Sequence, residues 1–185
     1  MRKLIASLNM TFDGFCDHTL VNADAEIHQH YTDLLNSADT LIYGRTTYLL
    51  MEDYWPQLIE KPGGNKATDD FAIAIDRISK VVFSHTLKTL KWKTARLAKQ
   101  SLNDEISALK KQPGGDILVG SPGLITATTN LGLIDEFQIA VHPVIAGQGL
   151  ILFKNITKRV DLKLIRTKTF AGGAVLFYYS PVNNQ

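Results

Sequence analysis

The stretch ADTLIYGRTTY, residues 38–48, joins an apolar strand to Gly-Arg and then to a helix that begins with two threonines. A glycine lets the backbone approach an anion, a helix N-terminus offers unpaired N–H groups, and an arginine adds a planar set of donors. The stretch therefore predicts a phosphate-binding turn, formed by Gly44, Arg45, Thr46 and Thr47. The alternative is an ordinary strand-to-helix turn in which Arg45 pairs with Glu52 or Asp53.

Length and composition limit the class of protein. A chain of 185 residues, with 45% hydrophobic and 21% charged residues, predicts a single globular domain spanning 1–185. The formal net charge is only +2 and the lysines are scattered, which disfavours nucleic acid as a partner. Short apolar runs and a start without a secretory pattern disfavour a membrane and favour a cytoplasmic location. The single cysteine, Cys16, predicts neither a disulfide nor a metal site.

Strands and helices alternate through the first two thirds of the chain. The pattern predicts strands at 4–8, 40–43, 80–84 and 116–119 and helices at 23–37, 46–52, 71–78, 101–112 and 124–131. A loop is predicted through Pro56 to Gly64, and a basic linker between residues 84 and 101. The strand at 40–43 is almost entirely apolar, as expected for a parallel strand that is buried on both faces. The chain is therefore predicted to have an α/β fold.

A second strand-to-helix turn has a similar pattern. Residues 120–123, Gly-Ser-Pro-Gly, follow the strand at 116–119, and Ser and Pro are also the residues expected in any tight connection of this kind. In a parallel sheet such turns lie at the carboxyl ends of the strands, where ligands of open α/β sheets bind. With Ser84 and His85 after the third strand, three turns predict one extended anionic ligand, for which a dinucleotide is the simplest candidate.

The last third of the chain favours antiparallel structure. Residues 134–141 alternate in polarity, residues 146–149 form a flexible loop, and two further strands at 162–170 and 175–179 flank Gly172-Gly173 as a β-hairpin. The whole predicts a mixed, mostly parallel sheet flanked by helices. Apolar strands, residues 175–179 among them, predict a homodimer, since a small domain has little to cover them. The alternative is an edge hidden by residues 142–160.

Several of these segments together resemble a known family. They are residues 7–14, 39–48, 119–121 and 132–137, with Pro143 and GQGLILF at 147–153. In this order they resemble the C-terminal reductase domain of bacterial bifunctional riboflavin deaminase-reductases, which has the dihydrofolate reductase fold. The resemblance covers essentially the whole chain. It implies NADPH-dependent reduction of a small heterocyclic or ribosylaminopyrimidine-like substrate, related to 5-amino-6-(5-phosphoribosylamino)uracil reductase, often by a homodimer.

The same resemblance implies roles for individual residues. The adenosine 2′-phosphate end of NADPH is expected at Gly44, Arg45, Thr46 and Thr47, its adenine beside Ser84 and His85, its pyrophosphate at Gly120, Ser121, Pro122, Gly123 and Leu124, and the substrate at Met10, Gly14 and Tyr48. Asp13 and Gly14 are expected to border the nicotinamide pocket. The chain departs from the family at Ser121, where a second glycine is common. The zinc deaminase half is also expected to be absent, because one cysteine cannot supply its ligands.

Asp13 and Asp24 are the candidate catalytic residues. Asp24 lies near the start of a predicted helix, where dihydrofolate reductases have a carboxylate, but their proline and lysine are missing. Its predicted role is to bind an N–H edge of the substrate and supply a proton, and the alternative is a helix N-cap. Asp13 can equally be a turn-former before Gly14. Two other functions stay open, namely a dihydrofolate reductase-type pterin reductase and a non-catalytic nucleotide-binding module of the same fold.

Overall fold

The computed structural model describes residues 1–182 as a mostly parallel eight-stranded sheet flanked by five helices, with an antiparallel hairpin at the C-terminal end. The strands are β1 (Leu4–Thr11), β2 (Ala38–Gly44), β3 (Ser79–Phe83), β4 (Ala95–Leu97), β5 (Asp116–Val119), β6 (Glu136–His142), β7 (Leu162–Thr169) and β8 (Val175–Pro181). The helices are α1 (Ala25–Ser37), α2 (Arg45–Glu60), α3 (Lys66–Arg77), α4 (Leu102–Lys111) and α5 (Pro122–Asn130). The predicted α/β fold is confirmed.

The first of two compact units comprises Met1–Arg2 and Ala23–Leu118. Its strands run in the order β4-β3-β2-β5, and β3 is parallel to both β2 and β4. Helices α1, α2 and α3 pack together, with the rings of Trp55 and Phe71 4.4 Å apart. Because β2 and β3 are parallel and in register at Gly44 and Phe83, the turns that follow them lie at the same edge of this unit.

The second unit comprises Lys3–Asn22 and the described residues from Val119 onward. Its strands run in the order β1-β6-β8-β7, with β1 parallel to β6 and β8 antiparallel to both of its neighbours. The hairpin turn ends at Gly173, whose φ of 85° suits glycine. The predicted hairpin is therefore confirmed. Within residues 1–182, none of the helices combines the length and the apolar composition needed to cross a membrane.

Two elements of the first unit differ from the sequence prediction. Helix α2 does not end at residue 52 but continues through Pro56 to Glu60. Proline removes one helical hydrogen bond, but α2 continues past it while packing against α3, where Trp55, the residue before the proline, contacts Phe71. The predicted basic linker contains the three-residue strand β4, which pairs with β3 and is too short to show a pattern. The capping of α4 by Ser101 is confirmed, since its hydroxyl accepts from the Asp104 amide.

The exposed strand of the second unit is β7, not the segment that the sequence singled out. Residues 175–179 belong to β8, which has a neighbour on each side. All eight residues of β7 are exposed, among them Leu162, Leu164 and Ile165. The prediction that residues 175–179 form an uncovered strand is therefore wrong, and the homodimer stays a prediction.

Candidate functional site

The predicted phosphate-binding turn lies where β2 meets α2. Gly44 is the N-cap residue, with no side-chain cap and no acidic residue in the first helical turn. Arg45 and Thr46 are exposed. Within residues 1–182 the Arg45 guanidinium has neither an ion pair nor a hydrogen bond, so pairing with Glu52 or Asp53 is excluded there. The turn thus presents a helix N-terminus and an uncommitted guanidinium, a donor set that suits a phosphate.

The turn after β3 lies beside it in the same unit. Ser84 Oγ accepts hydrogen bonds from the backbone amides of Thr86 (3.2 Å) and Leu87 (3.0 Å), so this hydroxyl shapes the turn. His85 is exposed at its tip. The turns that contain Arg45 and His85 therefore follow neighbouring parallel strands, and the cofactor-binding roles of both residues stay predictions.

The side chain of Tyr48 is buried and hydrogen-bonded inside the first unit. Its side chain is 0% exposed, and its hydroxyl donates to Glu52 Oε1 and accepts from the Trp92 amide (3.3 Å). The same Glu52 oxygen accepts from the backbone amides of Lys91 (2.6 Å) and Trp92 (3.1 Å). Burial raises the pKa of Tyr48 well above its usual value. Tyr48 thus anchors the 91–92 segment on α2, an arrangement that argues against the predicted contact with substrate.

Asp24 is the N-cap of α1. Its Oδ1 accepts from the Ile27 amide at 2.9 Å, which is the structural alternative considered for it. The second carboxylate oxygen, Oδ2, has no hydrogen-bond partner within residues 1–182. Capping therefore occupies one oxygen and leaves the other for a substrate, so the predicted catalytic role of Asp24 stays a prediction.

The second unit contains the turn between β5 and α5. Helix α5 begins at Pro122 with no side-chain cap and no acid in its first turn. Ser121 is almost fully buried, so its hydroxyl is not displayed as a phosphate ligand. A Cβ on Gly120 would lie 3.5 Å from the Ser7 carbonyl oxygen, and one on Gly123 would meet nothing within 4 Å. The first turn of α5 has room for an anion, with Pro122, Gly123 and Leu124 at least partly exposed.

Asp13, Gly14 and Met10 belong to the end of β1 and the turn after it. The Asp13 carboxylate accepts from Thr11 Oγ1 (2.6 Å) and from the amides of Ala146 (3.1 and 3.0 Å) and Gly147 (2.7 Å). The Thr11 hydroxyl and the Gly147 amide lower the pKa of Asp13 to about 2. A carboxyl group that ionises so readily is a poor proton donor near neutral pH, which argues against the catalytic role predicted for it. Gly14 has a φ of 93°, which confirms the predicted turn.

A cavity of about 410 Å³ lies elsewhere in the second unit. It is lined by residues of α5, β6 and β8, among them Thr129, Phe137 and Pro181, and by the exposed ion pair of Arg159 with Asp161. None of the residues that the sequence selected lines it. The cavity therefore takes no part in the candidate site.

Comparison with known proteins agrees with this fold. The family model of the RibD C-terminal domain matches residues 2–176. The chain belongs to the RibD C-terminal domain family. It is 35% identical to the uncharacterized protein YyaP of Bacillus subtilis (strain 168), over 96% of this chain and 94% of YyaP. The family assignment makes the chain a reductase-like protein of the riboflavin pathway type.

Solved structures with the RibD-type fold cover almost the whole chain. A riboflavin biosynthesis protein from Shewanella sp. PV-4 has a TM-score of 0.75 at 18% identity and covers 98% of this chain and 99% of its own. A Thermotoga maritima diaminohydroxyphosphoribosylaminopyrimidine deaminase/5-amino-6-(5-phosphoribosylamino)uracil reductase has a TM-score of 0.67 at 16% identity and covers 98% of this chain and 57% of its own. Enterococcus faecalis dihydrofolate reductase, complexed with NADP(H), has a TM-score of 0.64 at 12% identity, covering 98% and 97%. These likenesses establish the dihydrofolate reductase-like fold.

Asp17, which was not among the residues predicted from the sequence, binds the same loop as Asp13. Asp17 Oδ2 accepts from the Leu150 amide at 2.6 Å, within the loop that also holds the Asp13 partners. The sequence feature that could have indicated Asp17 is the pair of aspartates, four residues apart, directly after a strand. The backbone amides that bind these two carboxylates lie more than 130 residues away, so no local pattern indicates the contact.

Proposed function

We propose that this chain is an NADPH-dependent reductase of a small heterocyclic or ribosylaminopyrimidine-like substrate. The family supports a reductase of the riboflavin pathway type. The observation that carries the choice of cofactor is Arg45, exposed and unpaired within residues 1–182 at the start of α2. A guanidinium at a helix N-terminus, followed by two threonines, suits the dianionic 2′-phosphate that distinguishes NADPH from NADH.

Each group of residues has one role in the proposal. Gly44, Arg45, Thr46 and Thr47 bind the 2′-phosphate, Ser84 and His85 flank the adenine, and residues 120–124 bind the pyrophosphate through the N-terminus of α5. The bound cofactor supplies the hydride. Asp24 contacts the substrate through Oδ2, because its other oxygen accepts from the Ile27 amide. When ionised, Oδ2 accepts a substrate N–H, and it passes a proton to the substrate after taking that proton up from water.

Binding and turnover are tested separately. NADPH is titrated while the emission of Trp55 and Trp92 is followed, and NADPH oxidation at 340 nm is then measured with ribosylaminopyrimidines and dihydrofolate. We expect saturable quenching, and oxidation with a ribosylaminopyrimidine. Oxidation with dihydrofolate alone would favour the pterin reductase, and binding without oxidation would favour the nucleotide-binding module. Absence of saturable binding at millimolar NADPH would contradict all three functions.

We also propose that the protein is a cytoplasmic homodimer. The support is the uncovered apolar residues of β7, Leu162, Leu164 and Ile165. The same strand carries Lys163, Arg166 and Lys168 and no acid, so like charges oppose edge-to-edge pairing of two β7 strands. A dimer is therefore expected to form through a face of the sheet. Light scattering at micromolar concentration should give twice the mass of 20.5 kDa, and the monomer mass would contradict the proposal.

A further inference from the structure

Two carboxylates after β1 bind the backbone of one distant loop. Asp13 accepts from the amides of Ala146 and Gly147, and Asp17 Oδ2 accepts from the amide of Leu150. Residues 143–152 follow β6 and lack regular secondary structure apart from one bridge, Phe15 to Ile151. The carboxylate pair, Asp13 and Asp17, therefore satisfies amides that no helix or strand would otherwise satisfy.

Backbone hydrogen bonds hold the same two segments together. The Phe12 amide donates to the Val144 carbonyl (2.8 Å), the Cys16 amide to the Leu150 carbonyl (2.8 Å), and the Leu152 amide to the Gly14 carbonyl (3.2 Å). Asp13 lies between Phe12 and Gly14 along the chain, and Asp17 follows Cys16 directly. The 143–152 loop is consequently fixed along its length against residues 12–17, although its composition predicts flexibility.

The glycines of the loop make this contact sterically feasible. Gly147 and Gly149 have φ values of 75° and 140°, which L side chains rarely adopt. A Cβ on Gly149 would lie 2.8 Å from Asp17 Oδ2 and 3.0 Å from the side chain of Leu20. Any larger residue at Gly149 would displace the Asp17 carboxylate.

The far end of the loop is bonded to α5. Thr126 Oγ1 donates to the Leu152 carbonyl at 2.9 Å, and Thr126 lies one turn into the helix whose N-terminus is the proposed pyrophosphate site. The loop thus joins the turn that contains Gly14 to the helix that begins at Pro122. The carboxylate pair and α5 are therefore hydrogen-bonded to the same loop.

We propose that Asp13 and Asp17 are positioning residues that hold the 143–152 loop closed on the turn after β1, and that Asp13 does not donate the proton. This inference rests on the proposed function only where it concerns the nicotinamide. Both oxygens of Asp13 are engaged by amides and by the Thr11 hydroxyl, so the carboxylate orients the backbone around it. The loop in turn fixes the surroundings in which the nicotinamide is expected.

Amide hydrogen exchange of the cofactor-free protein tests the structural part. Asp13→Asn should speed exchange at Ala146 and Gly147 about tenfold, the factor that corresponds to losing one hydrogen bond to a charged group. Asp17→Asn should speed amide exchange at Leu150 by a similar factor. Asp161→Asn is the matched control, because among residues 1–182 the side chain of this partly exposed aspartate pairs only with Arg159. Unchanged exchange at 146–150, or faster exchange throughout the second unit, would overturn the proposal.

The fluorescence of NADPH bound to the same variants tests the functional part. Asp13→Asn should keep the NADPH dissociation constant within about threefold, because the 2′-phosphate contacts are unaltered, while the emission of the bound nicotinamide loses intensity as the loop opens. With a substrate that is reduced, kcat should fall while both limbs of its pH profile remain. Loss of the basic limb would make Asp13 the proton donor, and unchanged nicotinamide emission would show that the loop does not position the cofactor. If NADPH does not bind at all, the proposed function fails, and the exchange result still decides the loop contacts.

Discussion

Replacing Glu52 with alanine should destabilise the protein strongly without touching the proposed cofactor site. Glu52 Oε1 accepts three hydrogen bonds, from the Tyr48 hydroxyl and from the amides of Lys91 and Trp92. In Glu52→Ala the Trp92 amide keeps the Tyr48 oxygen as acceptor, but the Lys91 amide and the Tyr48 hydroxyl lose their acceptor. An orphaned buried donor such as the Tyr48 hydroxyl costs about 1 to 3 kcal/mol, and the part-buried Lys91 amide costs less, so we expect a total loss of about 3 kcal/mol in the free energy of unfolding.

Urea unfolding followed by the emission of the buried Trp92 measures this loss. Glu52→Gln keeps one acceptor oxygen and should lose about 1 kcal/mol, and Glu60→Ala, exposed at the end of the same helix, should lose less than about 0.5 kcal/mol. Tyr48→Phe should also lose about 1 kcal/mol and leave the KM for any substrate unchanged. A Glu52→Ala variant as stable as Glu60→Ala would refute the network, and a raised KM in Tyr48→Phe would restore Tyr48 as a substrate contact.

Three further variants test other parts of the account. Burial lowers the pKa of Lys80 from 10.5 to about 7, so between about pH 7 and pH 9 the unfolded chain binds a proton that the folded chain lacks. The free energy of unfolding, measured in urea, should therefore rise by about 2 kcal/mol over this range, and Lys80→Met should abolish the rise. Equal pH dependence of stability in wild type and Lys80→Met would refute this prediction. Gly149→Ala should lose about 1 to 2 kcal/mol of stability. Gly63→Ala is the control and should change stability little, because Gly63 has an ordinary φ and no close neighbour. Equal losses in the two variants would contradict the need for glycine at 149. Asp24→Asn should lower kcat more than NADPH affinity, and wild-type kcat would leave proton delivery to water or to the substrate.

The elements that the sequence predicted well depend on local patterns. The strand at 38–44, its glycine and the helix start at Arg45 are adjacent in sequence, so one short stretch specifies the turn. The Ser101 cap and the Gly172-Gly173 hairpin are equally local. The assignment of NADPH as the cofactor came from the family resemblance, because hydrophobic periodicity indicates secondary structure and not ligands.

The elements that were missed depend on distant contacts. Helix α2, which continues past Pro56, packs on α3, and its Trp55 contacts Phe71 sixteen residues further along. The roles of Asp13 and Asp17 depend on the loop at 143–152, and that of Tyr48 depends on amides at 91–92. A single sequence gives each carboxylate or hydroxyl its chemistry, but only the tertiary structure shows which backbone groups have taken its hydrogen bonds.

The preference for NADPH over NADH, measured in wild type and in Arg45→Ala, shows whether Arg45 binds the 2′-phosphate. NADH lacks the 2′-phosphate, so it cannot form the charge-assisted hydrogen bond to Arg45, which is worth about 1.5 to 3 kcal/mol. Wild type should therefore prefer NADPH by about tenfold or more. Arg77→Ala, which loses only a surface bond to Asn36, is the matched arginine control and should bind both nucleotides like wild type. The account predicts that Arg45→Ala loses the preference for NADPH while its affinity for NADH stays nearly unchanged. Equal loss of affinity for both nucleotides, or no preference in wild type, would contradict it.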